Sequence, residues 1–178
     1  MSRKIFIILL SVNSMPFWIF KKKEEPKGPE VILPTEDSRV RLEEDVQFLV
    51  DYFHEIAREL SKIEHNATSS EAEIAKIKKI ESDFRKLVEK LRKREPEFIG
   101  YWNGLLNITE DFVIEIRRVL PNSTFEIPLD QKRVEEVGRI SRRNSSAFVG
   151  MLEDVKKKLN KTYRRTFKIG WPERVGFP

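Results

Sequence analysis

Leu42, Val46, Leu49, Phe53, Ile56, Leu60 and Ile63 recur at steps of four and three without a break. This spacing lays all of them along one stripe of an α-helix, whereas a strand, with its period of two, would scatter them over both faces. Val50 and Ala57 widen the stripe. A helix with so continuous an apolar stripe gets most of its stability from packing, so this segment demands partners of similar length. The spacing predicts a helix over residues 39–64, with Asp37 or Ser38 as N-cap and the HNATSS stretch as its end.

Three further segments repeat the pattern. Ile74, Ile77, Ile80, Phe84, Leu87, Val88 and Leu91 predict a second helix over 70–94, broken before Pro96. Phe98, Tyr101, Leu105, Ile108, Phe112, Ile116 and Val119 predict a third over 97–120, its face broadened by Trp102, Leu106 and Val113 and its first turns weakened by Gly100 and Gly104. Val134, Val137, Ile140, Phe148, Met151, Leu152, Val155 and Leu159 predict a fourth over 130–161, after a loop at 121–129. Short connections make consecutive helices antiparallel neighbours. The expected fold is therefore all-α, an antiparallel four-helix bundle over 39–161. An N-terminal hydrophobic segment (1–20) and a Pro-rich linker (21–38) precede it, and a basic aromatic tail (162–178) in extended conformation follows.

Charge alternates by segment. Residues 30–75 sum to −8, 76–94 to +6, 95–130 to −5 and 131–178 to +8. Each acidic helix would lie beside basic ones, an arrangement that selects partner and orientation more than it adds stability. It favours complementarity within the bundle over a nucleic-acid footprint. The chain has 22 Glu, seven Asp, two Gln and no Cys, a composition resembling that of thermophile and archaeal proteins.

Residues 5–20, IFIILLSVNSMPFWIF, lie between Arg3 and Lys4 and the triplet Lys21, Lys22, Lys23. Two membrane readings stay open. As a signal peptide, the segment has a charged start and an apolar run but no small-residue cleavage site. As an uncleaved anchor, its 16 residues give about 24 Å of helix, short of the roughly 30 Å hydrocarbon core. Phe17, Trp18 and Phe20 beside Lys21, Lys22 and Lys23 suit a membrane interface. Counting flanking positive charge would leave the bundle in the cytoplasm, whereas a signal peptide would export it.

Catalytic chemistry finds little support. With no cysteine there is no thiol nucleophile, disulfide or Cys-based zinc site. No nucleophile elbow, H-E-x-x-H, P-loop or G-x-G-x-x-G occurs. Asp51 and His54 stand three apart, but a di-metal bundle site needs two Glu-x-x-His motifs and further carboxylates. The expectation is no enzyme, no cofactor and no metal.

In the fourth helix the apolar seam is interrupted by Ser141, Asn144, Ser145 and Ser146, with Gly138 and Gly150 flanking them. This gap reads as an exposed part of the bundle; a buried Asn fixing register, or close approach by a partner, are the alternatives. The chain then closes on a basic run. Lys156, Lys157, Lys158, Lys161, Arg164, Arg165, Lys168 and Trp171 are candidates for partner binding, to nucleic acid, acidic protein or anionic lipid, with nucleic acid not favoured.

Asn-x-Ser/Thr occurs at Asn66, Asn107, Asn122, Asn144 and Asn160. Chance at this composition gives about 0.7 such motifs, so five are an excess that points to N-glycosylation. The sequence is therefore expected to encode an exported, membrane-tethered or secreted helical bundle, membrane-associated or extracellular. Its role would be structural or one of protein interaction, self-association included. The alternative is a cytoplasmic accessory subunit docking through its basic tail.

Overall fold

The computed structural model describes residues 36–121 and 123–171. Four helices carry them: α1 Glu36–Asn66, α2 Glu71–Arg94, α3 Ile99–Val119 and α4 Gln131–Tyr163, with a turn of 3-10 helix at Pro96–Phe98 leading into α3. Each helix packs on its neighbours in sequence, and α4 closes the ring against α1. Asp45, early in α1, pairs with Arg94 at the end of α2, and Glu59, late in α1, pairs with Lys76 early in α2, so the two run antiparallel. This is the all-α antiparallel bundle that the four apolar stripes predict.

The helix ends follow local chemistry. α1 starts at Glu36, three residues before the expected start at residue 39, with Glu36 and Asp37 in a first turn whose free N–H groups favour carboxylates. It stops at Ala67, which takes the left-handed conformation (φ 51°) that usually falls to glycine. At the start of α2 the Glu73 carboxylate accepts the backbone N–H of Ser70 at 2.9 Å. At the start of α4 the Asp130 carboxylate accepts the N–H of Arg133 at 2.9 Å. α4 runs on to Tyr163 and is broken by Arg164, also left-handed (φ 49°).

One feature has no sequence signal. Thr68–Ser69 (β1) pairs antiparallel with Ile127–Pro128 (β2), Ser69 opposite Ile127. The ladder is flanked by Glu71 N–H to Ser123 O and Leu129 N–H to Ala67 O, both 2.7 Å. The two loops at this end of the bundle are thereby tied together, and the first N–H of α2 finds an acceptor across the gap.

At mid-height each helix contributes one phenylalanine to a common layer: Phe53, Phe84, Phe112 and Phe148, all fully buried. Phe53 stacks on Phe148 with centroids 3.9 Å apart and meets Phe112 at 5.3 Å; Phe84 meets Phe148 edge-on at 6.1 Å. Toward the end where α1 begins, the core is Phe98, Trp102, Tyr163 and Phe167. The Trp102 indole donates to Glu95 O at 3.1 Å, which satisfies its one polar atom.

The polar gap of α4 is buried at Ser141 and Asn144, contrary to the expectation of an exposed stretch, while Ser145 is half-buried and Ser146 is exposed. Gly138, Ser141 and Asn144 face inward. Asn144 donates to Ile140 O at 3.0 Å and to Glu115 Oε2 at 3.1 Å. A Cβ at Gly138 would collide with Glu64 Oε1, so the absent side chain makes room for an acidic side chain of α1. Small and polar residues replace apolar ones here because the neighbouring helices present carboxylates to this part of α4.

The alternation of charge is realised between helices. Asp45 pairs with Lys90 and Arg94, Glu59 with Lys76, Glu110 with Arg85, Glu115 with Arg143, and Glu64 with Arg142. Each of these pairs takes its acid from α1 or α3 and its base from α2 or α4.

Candidate functional site

Beyond α4 the described tail has no regular secondary structure, yet side chains of α1 and α4 hold it in place. After Arg164 it turns back and runs along α1, where Arg165 pairs with Glu36 at 2.5 Å and Glu43 at 3.4 Å. Its backbone is held by side chains. Phe167 N–H donates to Asn160 Oδ1 (2.8 Å) and Lys168 N–H to Glu43 Oε1 (3.0 Å). The Gln47 carboxamide takes both polar groups of Gly170, each at 3.1 Å. Phe167 and Ile169 are buried, and the half-buried Trp171 meets Phe53 and Phe148 edge-on at 6.1 and 6.2 Å. Residues 167, 169 and 171 thus alternate inward with Lys168 and Gly170 outward, the period-two pattern of an extended segment.

This arrangement divides the basic run that the sequence presents as one group. Lys156 is drawn to Glu153 and Arg165 to Glu36 and Glu43, while Trp171 packs against the core. Lys157, Lys158, Lys161, Arg164 and Lys168 are exposed. Of these only Lys157 has an ion pair among the described residues, with Asp154 at 3.6 Å. Tyr163 is also inward: its hydroxyl donates to Glu95, and burial together with that carboxylate pushes the phenol well above its ordinary value. Stacking of single-stranded bases needs exposed aromatic faces. Among the described residues of the run, Tyr163 and Phe167 belong to the core and Trp171 is half-buried against it, while the cations face solvent.

The glycosylation candidates fall in different surroundings. Asn66 is exposed at the last residue of α1, beside the β1–β2 ladder, and Asn107 is exposed halfway along α3. Asn144 is 6% exposed with its nitrogen donating two hydrogen bonds, so its acceptor atom faces protein. Asn160 is half-buried and its carbonyl holds the tail. Asn122 lies outside the described residues, as do Phe17, Trp18, Phe20, Lys21, Lys22 and Lys23.

Of the remaining chemistry, Asp51 accepts from Gln47 at 2.9 Å, and His54 lies edge-on to Trp171 at 5.4 Å. Burial and the Arg58 guanidinium push the His54 imidazole below its ordinary value, against the pull of Asp51. Among the described residues no three His, Asp or Glu side chains converge as metal ligands would. An open depression of about 400 Å³ between the end of α3 and the start of α4 is lined by Arg118, Val119, Asp130, Lys132, Arg133 and Glu136, charges of both signs. Among the described residues no helix is long and apolar enough to cross a membrane.

The fold and surface define a four-helix bundle with a strapped tail and a cationic end. Comparison with family models, curated proteins and solved structures finds no match.

Proposed function

We propose that this chain is an exported bundle, tethered to a membrane or secreted, that carries N-linked glycans and acts in structure or protein interaction. The observation that carries the reading is the excess of acceptor motifs together with the exposure of Asn66 and Asn107. Placement supports it. The chain joins the bundle at Glu36, and Asn66 lies at the opposite end of α1, a helix of 31 residues and about 46 Å. A glycan at Asn66 would project from the end of α1 opposite Glu36.

The test is the intact mass of the protein from its own source, before and after deglycosylation. The expected result is a heterogeneous mass above 21.1 kDa that collapses on treatment. Peptide mapping should then find glycan at Asn66 and Asn107 and none at Asn144, where it would displace the bonds to Glu115 and Ile140. A single unmodified mass near 21.1 kDa would overturn the reading.

A further inference from the structure

We propose that Lys158, Lys161, Arg164 and Lys168 form a contact surface for an anionic lipid bilayer, at the end of the bundle where the linker joins it; this rests on the membrane-tethered form of the function proposed above. Four observations converge on it. All four residues are exposed, and none has an ion pair among the described residues. They cluster, because Lys158, Lys161 and Arg164 occupy the last two turns and the cap of α4, and Lys168 is an outward position of the strap that follows. The aromatic residues that interleave them in sequence are packed inward, which leaves charge without a stacking platform. Finally, Arg165 binds Glu36 at 2.5 Å, so the cluster stands beside the first residue of α1, through which the chain connects to Lys21, Lys22, Lys23 and the apolar segment before them.

The chemistry suits phosphate headgroups. A flat anionic surface asks for several unneutralised cations side by side, and each Lys or Arg near such a surface contributes additively within a Debye length. Among the described residues, Asp37, Glu44 and Glu97 are the exposed acids toward this end without an ion pair, so the unpaired cations there outnumber them. A tether holds the bundle at high local concentration over the bilayer, and the four cations would set which end faces it.

The test uses the full chain on vesicles of phosphatidylcholine alone and of phosphatidylcholine with phosphatidylglycerol, at low and high salt. The variant is Lys158→Gln, Lys161→Gln, Arg164→Asn and Lys168→Gln together; Asn suits the left-handed backbone at 164. Both proteins should bind the zwitterionic vesicles equally. The unaltered chain should bind the anionic ones more tightly, by roughly tenfold or more at low salt, and the variant should lose that gain. A Lys158→Arg, Lys161→Arg, Lys168→Arg variant should keep it, which separates loss of charge from loss of fold. Equal binding of variant and parent to anionic vesicles would overturn the proposal. So would retention of the parent on a short RNA duplex in preference to the vesicles. Failure of both proteins to bind phosphatidylcholine would instead count against the N-terminal tether, leaving the anionic gain as a separate reading of the surface.

Discussion

Phe148→Ala tests the central claim about the bundle, that a single layer with one phenylalanine from each helix locks the four together. The ring is fully buried, stacked on Phe53 at 3.9 Å and close to Phe84 and Trp171 at 6.1 and 6.2 Å. Its neighbours come from α1, α2 and the tail, all anchored elsewhere, so the site has little freedom to collapse. Truncation of such a ring costs about 3–5 kcal/mol, the transfer term plus the residual cavity. For a domain of this size each kcal/mol moves the melting temperature by about 3–5 °C, so a fall of roughly 10–25 °C is expected. The assay is equilibrium urea unfolding followed by far-UV circular dichroism and Trp emission, with Phe48→Ala, a 53% exposed ring on α1, as control. The control should change stability by less than about 1 kcal/mol. The double variant Phe53→Ala, Phe148→Ala should cost less than the sum of the single changes by about 0.5–1.5 kcal/mol, because the stack is lost only once. A Phe148→Ala loss below about 1 kcal/mol, or a control that loses as much, would refute the layer as described.

Glu59 and Gly150 provide two further tests. Burial pushes the Glu59 carboxyl up, but the ammonium groups of Lys76 and Lys62, at 2.8 and 2.9 Å, outweigh it and hold the group below its usual value. A lowered folded-state value means that its contribution is present above the ordinary carboxylate range and is lost as pH falls through the folded value. Glu59→Gln should therefore destabilise the bundle at neutral pH and flatten the acid limb of its stability profile; an unchanged acid limb would contradict the pairing. Gly150 is exposed within α4, and a Cβ there would meet nothing within 4 Å. Gly150→Ala should raise stability by about 0.5–1 kcal/mol. A destabilised variant whose melting temperature depends on protein concentration would show instead that another copy covers this face.

The four apolar stripes made the bundle legible, because burial at a 3.6-residue period is a local property of the chain. The start of the first helix was read less well: α1 begins at Glu36, so Asp37 and Ser38, the expected N-caps, lie inside its first turn. The β1–β2 ladder was not legible. Two residues a side carry no periodicity, and their pairing depends on two loops some 60 residues apart meeting at one end. The polar gap misled in a different way. Ser141 and Asn144 look like solvent positions until Glu115 of α3 is seen to bond Asn144 and Glu64 of α1 is seen to fill the space over Gly138.

The candidate surface divides along the same line. Sequence alone set the number of acceptor motifs, the alternation of charge between helices and the presence of a basic aromatic run, since each is a matter of residue type and spacing. Tertiary structure decided which of those residues face out. Asn66 and Asn107 remain exposed while Asn144 is enclosed, and Lys158, Lys161, Arg164 and Lys168 stay in water while Tyr163 and Phe167 enter the core and Trp171 packs against it. The physical reason is that the tail has no helical period of its own. Its orientation is imposed by Gln47, Glu43 and Asn160, whose side chains satisfy its backbone, and by the burial of Phe167 and Ile169 and the packing of Trp171 on Phe53 and Phe148.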